Sequence, residues 1–376
     1  MIVSVLALIV LSEPLRLRAD VLGQARDPAG VLVLQGQGTV TDALTIDVLV
    51  WGNASESTRA DILVGALRYR DPAGHGELTA GRMLLTSGGL LPLHLDGLRV
   101  FGRAPSGTTL ELFGGVPVVP RFDANAWDWA LGGRVGQSIG NGAAGIAYLQ
   151  QRSAGQLDHH EIALDFTLFP LDWLDVGARG AYDLVTHGVA EIVATTAATA
   201  GAFRFELSGL HRSPARLLPA TSLFSVLGDA TVGALGARVS WSAAPRLDLS
   251  AGGGARWIDD VAFEDLSALA SLRLGPDRTS GSIGAELRRQ GAPDGGWSGV
   301  RLFGRTPLVP DLSLSSELEL VRPDHDDRGD LWLWGLVALA WSFHPSWDVA
   351  AAFEASSSAE SEVAFDAIAR LGYQWW

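Results

Sequence analysis

The chain has 376 residues, 47% of them hydrophobic, with a formal net charge of −14 and a mean hydropathy of +0.20. That acidic balance excludes nucleic acid as a partner, because phosphate recognition needs basic stripes. Without cysteine there is no disulfide framework and no thiolate metal site, and every Lys/Arg position is arginine, a coding bias rather than chemistry.

Met1 to Ser12 is an apolar stretch of secretory-signal type, although it lacks a basic n-region and a clean small-x-small site. Residues 1–13 are therefore read as a signal peptide or N-terminal segment, with the mature chain starting around Glu13 to Asp20. Beyond it, no apolar run approaches the roughly 18 residues of a membrane-spanning helix. Residues 14–376 instead read as a succession of segments of about ten residues, the length of a tilted membrane strand.

Several segments alternate cleanly, and a period of two means a strand with unlike faces. Trp127, Trp129, Leu131 and Val135 oppose Asp128, Ala130, Gly132 and Arg134. Ile162, Leu164, Phe166 and Leu168 oppose Glu161, Ala163, Asp165 and Thr167. Leu174, Val176, Ala178 and Tyr182 oppose Asp175, Gly177, Arg179 and Asp183. Phe203, Phe205 and Leu207 oppose Arg204, Glu206 and Ser208, and Leu247, Leu249, Ala251 and Trp257 oppose Arg246, Asp248, Ser250 and Arg256. Leu312, Leu314, Leu318 and Leu320 oppose Ser313, Ser315, Glu317 and Glu319.

With both termini placed in the periplasm, alternate connections should be short on that side and longer outside. The short set is Pro72–His75, Ala104–Gly107, Phe169–Leu171, Ala243–Pro245, Gly275–Asp277 and His344–Ser346. The long set is Asn53–Arg59, Thr86–Pro92, Pro117–Asn125, Arg152–Asp158, His211–Asp229, Gln290–Gly296 and Arg322–Arg328. The fold class is all-β: one antiparallel transmembrane barrel of about 22 strands, or 18 to 20 if the weak segments Val31–Val40 and Gly188–Gly201 merge with neighbours. A large soluble all-β protein is the competing class.

Two places break the pattern. Leu331 to Phe343 is apolar on both faces, with Trp332, Trp334, Trp341 and Phe343, and either fills the lumen or touches a plug or partner. The longest connection, Ser213 to Asp229, carries Leu217, Leu218, Leu223, Phe224 and Val226 where an exposed loop should be polar. It is expected to fold inward as a constriction, or else to pack over the rim.

No chemistry-bearing motif stands up. Gly136-Gln137-Ser138-Ile139-Gly140 matches the nucleophile-elbow spacing but sits at a hairpin tip with no following helix. His159-His160-Glu161 has no zinc spacing, and Asp324-His325-Asp326-Asp327 reads as a solvated acidic loop rather than a cation site. Catalytic residues, metal and cofactor are all expected to be none. The residues expected to line a pore are Arg134, Arg179, Arg204, Arg238, Arg246, Arg256, Arg288 and Arg370, beside Asp128, Asp165, Asp175, Glu206, Asp248, Glu286, Glu317, Glu319, Asp348 and Asp366. Mixed rings of charge tune selectivity in a water-filled lumen, or pair across it, and the acidic excess sets a weak cation preference as the expectation.

The last sixteen residues alternate to the end, with Leu371, Tyr373 and Trp375 in one phase and Trp376 one residue beyond it. On this ending the chain resembles Gram-negative outer-membrane β-barrels of the porin-like kind. Its final strand is similar to the signal read by the barrel-assembly machinery, with the terminal aromatic displaced by one residue. Gly81-Arg82-Met83, Gly88-Gly89 and Leu95-Asp96-Gly97-Leu98-Arg99 are similar to strand pairs of substrate porins and alginate-export-like barrels. The resemblance implies an outer-membrane location, outer-membrane lipid as surroundings, and a non-catalytic channel for ions or small polar solutes. The alternative it implies is a polysaccharide export barrel working with a separate periplasmic partner.

Overall fold

The computed structural model describes residues 16–24, 29–54, 59–118, 128–153, 155–213, 231–259, 261–275, 280–293, 295–324, 331–357 and 363–375. Every regular element among them is a strand. The first seven are β1 (Arg16–Gln24), β2 (Ala29–Thr41), β3 (Leu44–Ala54), β4 (Arg59–Arg70), β5 (Gly76–Leu85), β6 (Leu93–Arg103) and β7 (Thr108–Pro117). Then come β8 (Ala130–Ile139), β9 (Gly142–Ser153), β10 (Gln156–Leu171), β11 (Leu174–Asp183), β12 (Gly188–Ala200), β13 (Phe203–Arg212) and β14 (Val232–Ala244). The rest are β15 (Leu247–Ile258), β16 (Val261–Arg273), β17 (Ser282–Gly291), β18 (Trp297–Val309), β19 (Leu312–Pro323), β20 (Trp332–His344), β21 (Trp347–Ser357) and β22 (Ala364–Trp375).

Each strand pairs antiparallel with its neighbour in sequence, and β1 pairs with β22 from Leu17↔Trp375 to Gln24↔Ile368. The 22-stranded sheet is therefore closed. Closure leaves no unpaired edge, which is the condition for a sheet to sit in hydrocarbon. Both weak segments are strands of their own, β2 and β12, so the count is the full 22 rather than the merged one.

One face of the strands is predominantly apolar and open to the surroundings, with the Arg82–Asp96 pair of β5 and β6 an outward exception: Leu164, Leu207, Leu235 and Leu287 are each about three-fifths exposed (61, 60, 61 and 59%). In water such a surface would be an aggregation liability; on a closed barrel it is the lipid-facing belt. The opposite face carries the ion pairs described below and is the inner wall.

Both ends of the described chain, Arg16 and Trp375, lie on one rim, here called the terminal rim. Its turns include Pro345-Ser346, Asp71–His75 and Ala104–Gly107, all from the short set. The long set falls on the opposite, far rim. Outward aromatics stand at both rims, with Trp129, Tyr182, Trp257 and Phe365 at the far rim and ring-to-ring contacts at the terminal rim. Phe203 stacks on Trp241 at 5.6 Å, Trp341 meets Phe343 at 5.3 Å, and Trp347 meets Tyr373 at 4.5 Å. Amphipathic rings of this kind favour a headgroup level. Of the residues expected to form an assembly signal, Leu371, Tyr373 and Trp375 face outward on β22, while Trp376 lies outside the described residues.

Candidate functional site

The inner wall is a ladder of opposite charges running from strand to strand. Asp47 on β3 lies 3.2 Å from Arg68 on β4, which faces Glu77 on β5 at 3.8 Å. Glu77 also meets Arg70 at 2.9 Å and Arg99 at 2.8 Å, and Arg99 passes on to Glu111 on β7 at 2.5 Å. Next come the bidentate pair Arg134–Asp165 (2.6 and 2.9 Å), then Arg179–Glu191 at 3.0 Å and Glu191–Arg212 at 2.6 Å. Directly opposed positions on neighbouring strands have side chains within reach of each other, so alternating signs along one row stabilise the register.

Beyond β12 the ladder continues with gaps. Arg204 pairs with Glu206 at 2.7 Å and with Asp175 at 3.6 Å, and Arg273 lies 3.9 Å from Asp248. Arg301 bridges Glu286 at 3.4 Å and Glu317, and Arg288 pairs with Glu319. Across the closing seam Arg370 pairs with Asp348 and reaches Asp20 at 3.7 Å, while Arg18 holds Asp20 at 2.6 Å.

Most residues expected from sequence to line a pore take part in these contacts. Asp128 stands two residues before Ala130 and shares its inward phase, and Asp366 faces inward opposite Glu354. Arg238 and Arg256 face inward without a carboxylate within 4 Å among the described residues; Arg256 lies over the Phe263 ring at 5.4 Å. Arg246 is placed differently: it belongs to the exposed turn between β14 and β15, not to a strand. Sequence reading omitted Asp47, Arg68, Glu77, Arg99, Glu111 and Glu191, although the same two-residue alternation in those strands carries them.

The lumen has two unlike halves. Along β5 to β12 the connection Thr86–Pro92 leaves the far rim and lies on the inner wall. Ser87 donates to Glu111 Oε2 at 2.7 Å, and a turn closes from Leu90 N–H to the Ser87 carbonyl at 3.0 Å. Gly88 has φ +56, and a Cβ there would fall on Asp165 Oδ1 and within 2.6 Å of Arg134 Nε. Gly89 is pressed against the backbone of Leu164 and Gly180. Leu90 joins Met83, Leu85, Leu95, Phe113 and Leu149 in an apolar cluster floored by Ala130, Ala147, Ala163 and Ala181. Close contact needs small residues beneath the loop, and a row of them, Ala66, Gly81, Gly97, Gly115 and Ala130, crosses five strands.

At the edge of this filled half, His159 Nε2 and Glu161 Oε2 are 2.6 Å apart, and Glu161 is completely buried. The two share a face because they are two apart on a strand. Among the described residues no group of three metal-ligating side chains forms. Ser138 lies in β8, in no strand-to-helix elbow.

The other half is open. A cavity of about 950 Å³ runs along β11 to β18 and is lined by Asp175, Arg204, Glu206, Arg238, Arg256, Asp265, Glu286 and Arg288. Its floor is Gly236, Gly252 and Gly254. Trp334 faces inward nearby on β20 and donates its Nε1 proton to Glu354 at 2.7 Å. The constriction residues expected from sequence, Leu217, Leu218, Leu223, Phe224 and Val226, lie outside the described residues.

No family model and no curated protein matches the chain. Solved structures do. The siderophore receptor PirA from Pseudomonas aeruginosa superposes with a TM-score of 0.64 at 12% identity, over 97% of this chain and 81% of that one. The translocation pore of the P pilus usher PapC gives 0.52 at 9% identity, over 96% and 98%. The ferric-catecholate import receptor Fiu from E. coli K12 gives 0.58 at 8%, over 97% and 82%. The fold is that of a Gram-negative outer-membrane β-barrel. At such identities the likeness carries the fold and nothing finer.

Proposed function

We propose that this barrel is a non-catalytic outer-membrane channel for ions or small polar solutes, with both termini on the periplasmic side. The observation that carries the reading is the open, charged cavity along β11 to β18, facing a half of the lumen that the Thr86–Pro92 loop fills. A water-filled path with fixed charges of both signs lets polar solutes exchange hydration for transient contacts and leave again. The orientation is supported by the short turns at the terminal rim.

A second reading, a polysaccharide export barrel working with a separate periplasmic partner, draws support from the inward Trp332 and Trp334, whose flat faces suit sugar rings. The test is planar-bilayer conductance of refolded protein with and without oligosaccharide. Discrete ohmic openings that rise when Thr86–Pro92 is replaced by a two-residue link support the channel. A silent protein in both forms sinks it, and block by oligosaccharide moves the balance to export.

A further inference from the structure

The outer face of the barrel is not the same at its two rims. Outward positions at the terminal rim are aromatic or aliphatic, among them Phe203, Trp241, Trp341, Phe343 and Tyr373. At the far rim, outward positions include arginines: Arg289 and Arg322 follow the phase of the exposed Leu287 and Leu320. Arg289, Ser298 and Arg322 are direct register partners on the adjacent strands β17, β18 and β19, so they form one row on the outer face.

Arg289 Nη1 is held by Asp324 at 2.5 Å and lies 3.2 Å from Ser298 Oγ. Its Nε and Nη2 have no hydrogen-bond partner among the described residues, and neither has the exposed Arg322 side chain. Glu264, outward on β16, is the other carboxylate of this patch.

The same strands carry a dent in the apolar belt. Small outward residues, Ala270, Ala285, Gly304, Gly335 and Ala355, leave a groove of about 860 Å³ walled by Leu302, Leu318, Leu333, Val337 and Phe353. From Leu318 to Arg322 is four residues, about 13 Å along a strand, and the path between is apolar through Leu287, Val300 and Leu320. A groove for one hydrocarbon chain thus lies about 13 Å from two arginines and a hydroxyl, a gap along apolar wall that the upper part of an extended acyl chain spans.

We propose that the outer face of β16 to β21 is a lipid site for a phosphorylated glycolipid of the outer leaflet. One acyl chain lies in the Gly304–Gly335 groove, and a headgroup phosphate sits on Arg289, Ser298 and Arg322. The choice of leaflet rests on the orientation proposed above; the recognition itself does not. Guanidinium forks suit phosphate oxygens, and the low-dielectric setting of a headgroup layer strengthens such pairs. Asp324 fixes the Arg289 fork, so that its remaining edge points to a ligand.

The test is native mass spectrometry of the detergent-purified full chain with four probes. These are a bis-phosphorylated glucosamine acyl lipid, the same lipid stripped of phosphate, phosphatidylglycerol and inorganic phosphate. The phosphorylated glycolipid should bind at least about tenfold more tightly than the other three. Arg289→Gln with Arg322→Gln should erase that advantage, and Gly335→Leu should weaken both acylated glucosamine probes by filling the groove, where a Cβ makes ordinary contact with Leu318 Cδ1 at 3.7 Å and the Glu317 carbonyl at 3.8 Å. Arg152→Gln, on another face, should change nothing.

Equal binding of the dephosphorylated lipid overturns the phosphate site, equal binding of phosphatidylglycerol overturns the choice of lipid, and wild-type binding by Gly335→Leu overturns the groove. Heat-modifiable gel migration checks the fold of each variant, and bilayer conductance, which none should alter, keeps failure of the channel reading separate.

Discussion

Arg370 illustrates what a single side chain does in a closed sheet. It stands on the last strand, pairs with Asp348 on one side and reaches Asp20 of the first strand on the other. Closing the barrel brings three charges from residues more than 300 positions apart into one row, and Arg18 completes the neutralisation. Arg370→Met leaves two carboxylates facing each other across the seam. The expected cost is about 1–2 kcal/mol, between the values of an exposed pair and a buried one, because these side chains are partly open to the lumen. Urea unfolding in lipid vesicles measures it, and adding Asp348→Asn should restore most of the loss. A wild-type midpoint for the single variant would mean that backbone pairing alone closes the barrel. The sequence pointed to Arg370 and Asp348 as inward residues through alternation, but Arg18 and Asp20, in a short first strand with little pattern around it, were not legible.

At the scale of the element, strands and turns were readable because each is set by local chemistry: a two-residue period, and Pro or Gly where the chain reverses. The side of most connections followed from length, but β9–β10 and β15–β16 are joined by two residues on the far rim and β16–β17 by eight on the terminal rim. The inward loop was not readable. Sequence pointed to the long, leucine-bearing Ser213–Asp229 connection, which lies outside the described residues, and passed over the seven-residue Thr86–Pro92, which lies on the inner wall. What selects it is remote: Ala130, Ala147, Ala163 and Ala181 leave room on strands that lie far along the chain. Gly88 then fits where no side chain could, with a left-handed φ that also favours glycine. Gly88→Val should therefore break the Arg134–Asp165 pair, lift the loop and raise single-channel conductance, with a stability loss of about 1–3 kcal/mol. An unchanged conductance would show that the loop does not limit flow.

For the whole molecule, the net charge of −14 and the charge of the inner wall are separate quantities. Along the wall most carboxylates have an arginine beside them, so the paired part of the ladder is close to neutral, while Glu161, Asp183, Asp265 and Glu354 have no arginine within 4 Å among the described residues. The excess sits in far-rim connections, where 325–330 contributes Asp326, Asp327 and Asp330 against Arg328, and 358–362 contributes Glu360 and Glu362. Weak cation preference, expected from composition, should then arise at the mouth, because an excess of acidic residues in its connections raises the local cation concentration. Neutralising Asp326, Asp327, Asp330, Glu360 and Glu362 to their amides should move the reversal potential in a salt gradient toward zero. Replacing Arg134 and Asp165 together by Met and Leu should leave it nearly unchanged, because no net charge is removed. The rim effect should also fade as salt rises, since screening shortens from about 10 Å at 0.1 M to about 3 Å at 1 M. A preference that survives both the rim substitutions and molar salt would place selectivity on the wall after all, at the unpaired arginines and acids of the open half.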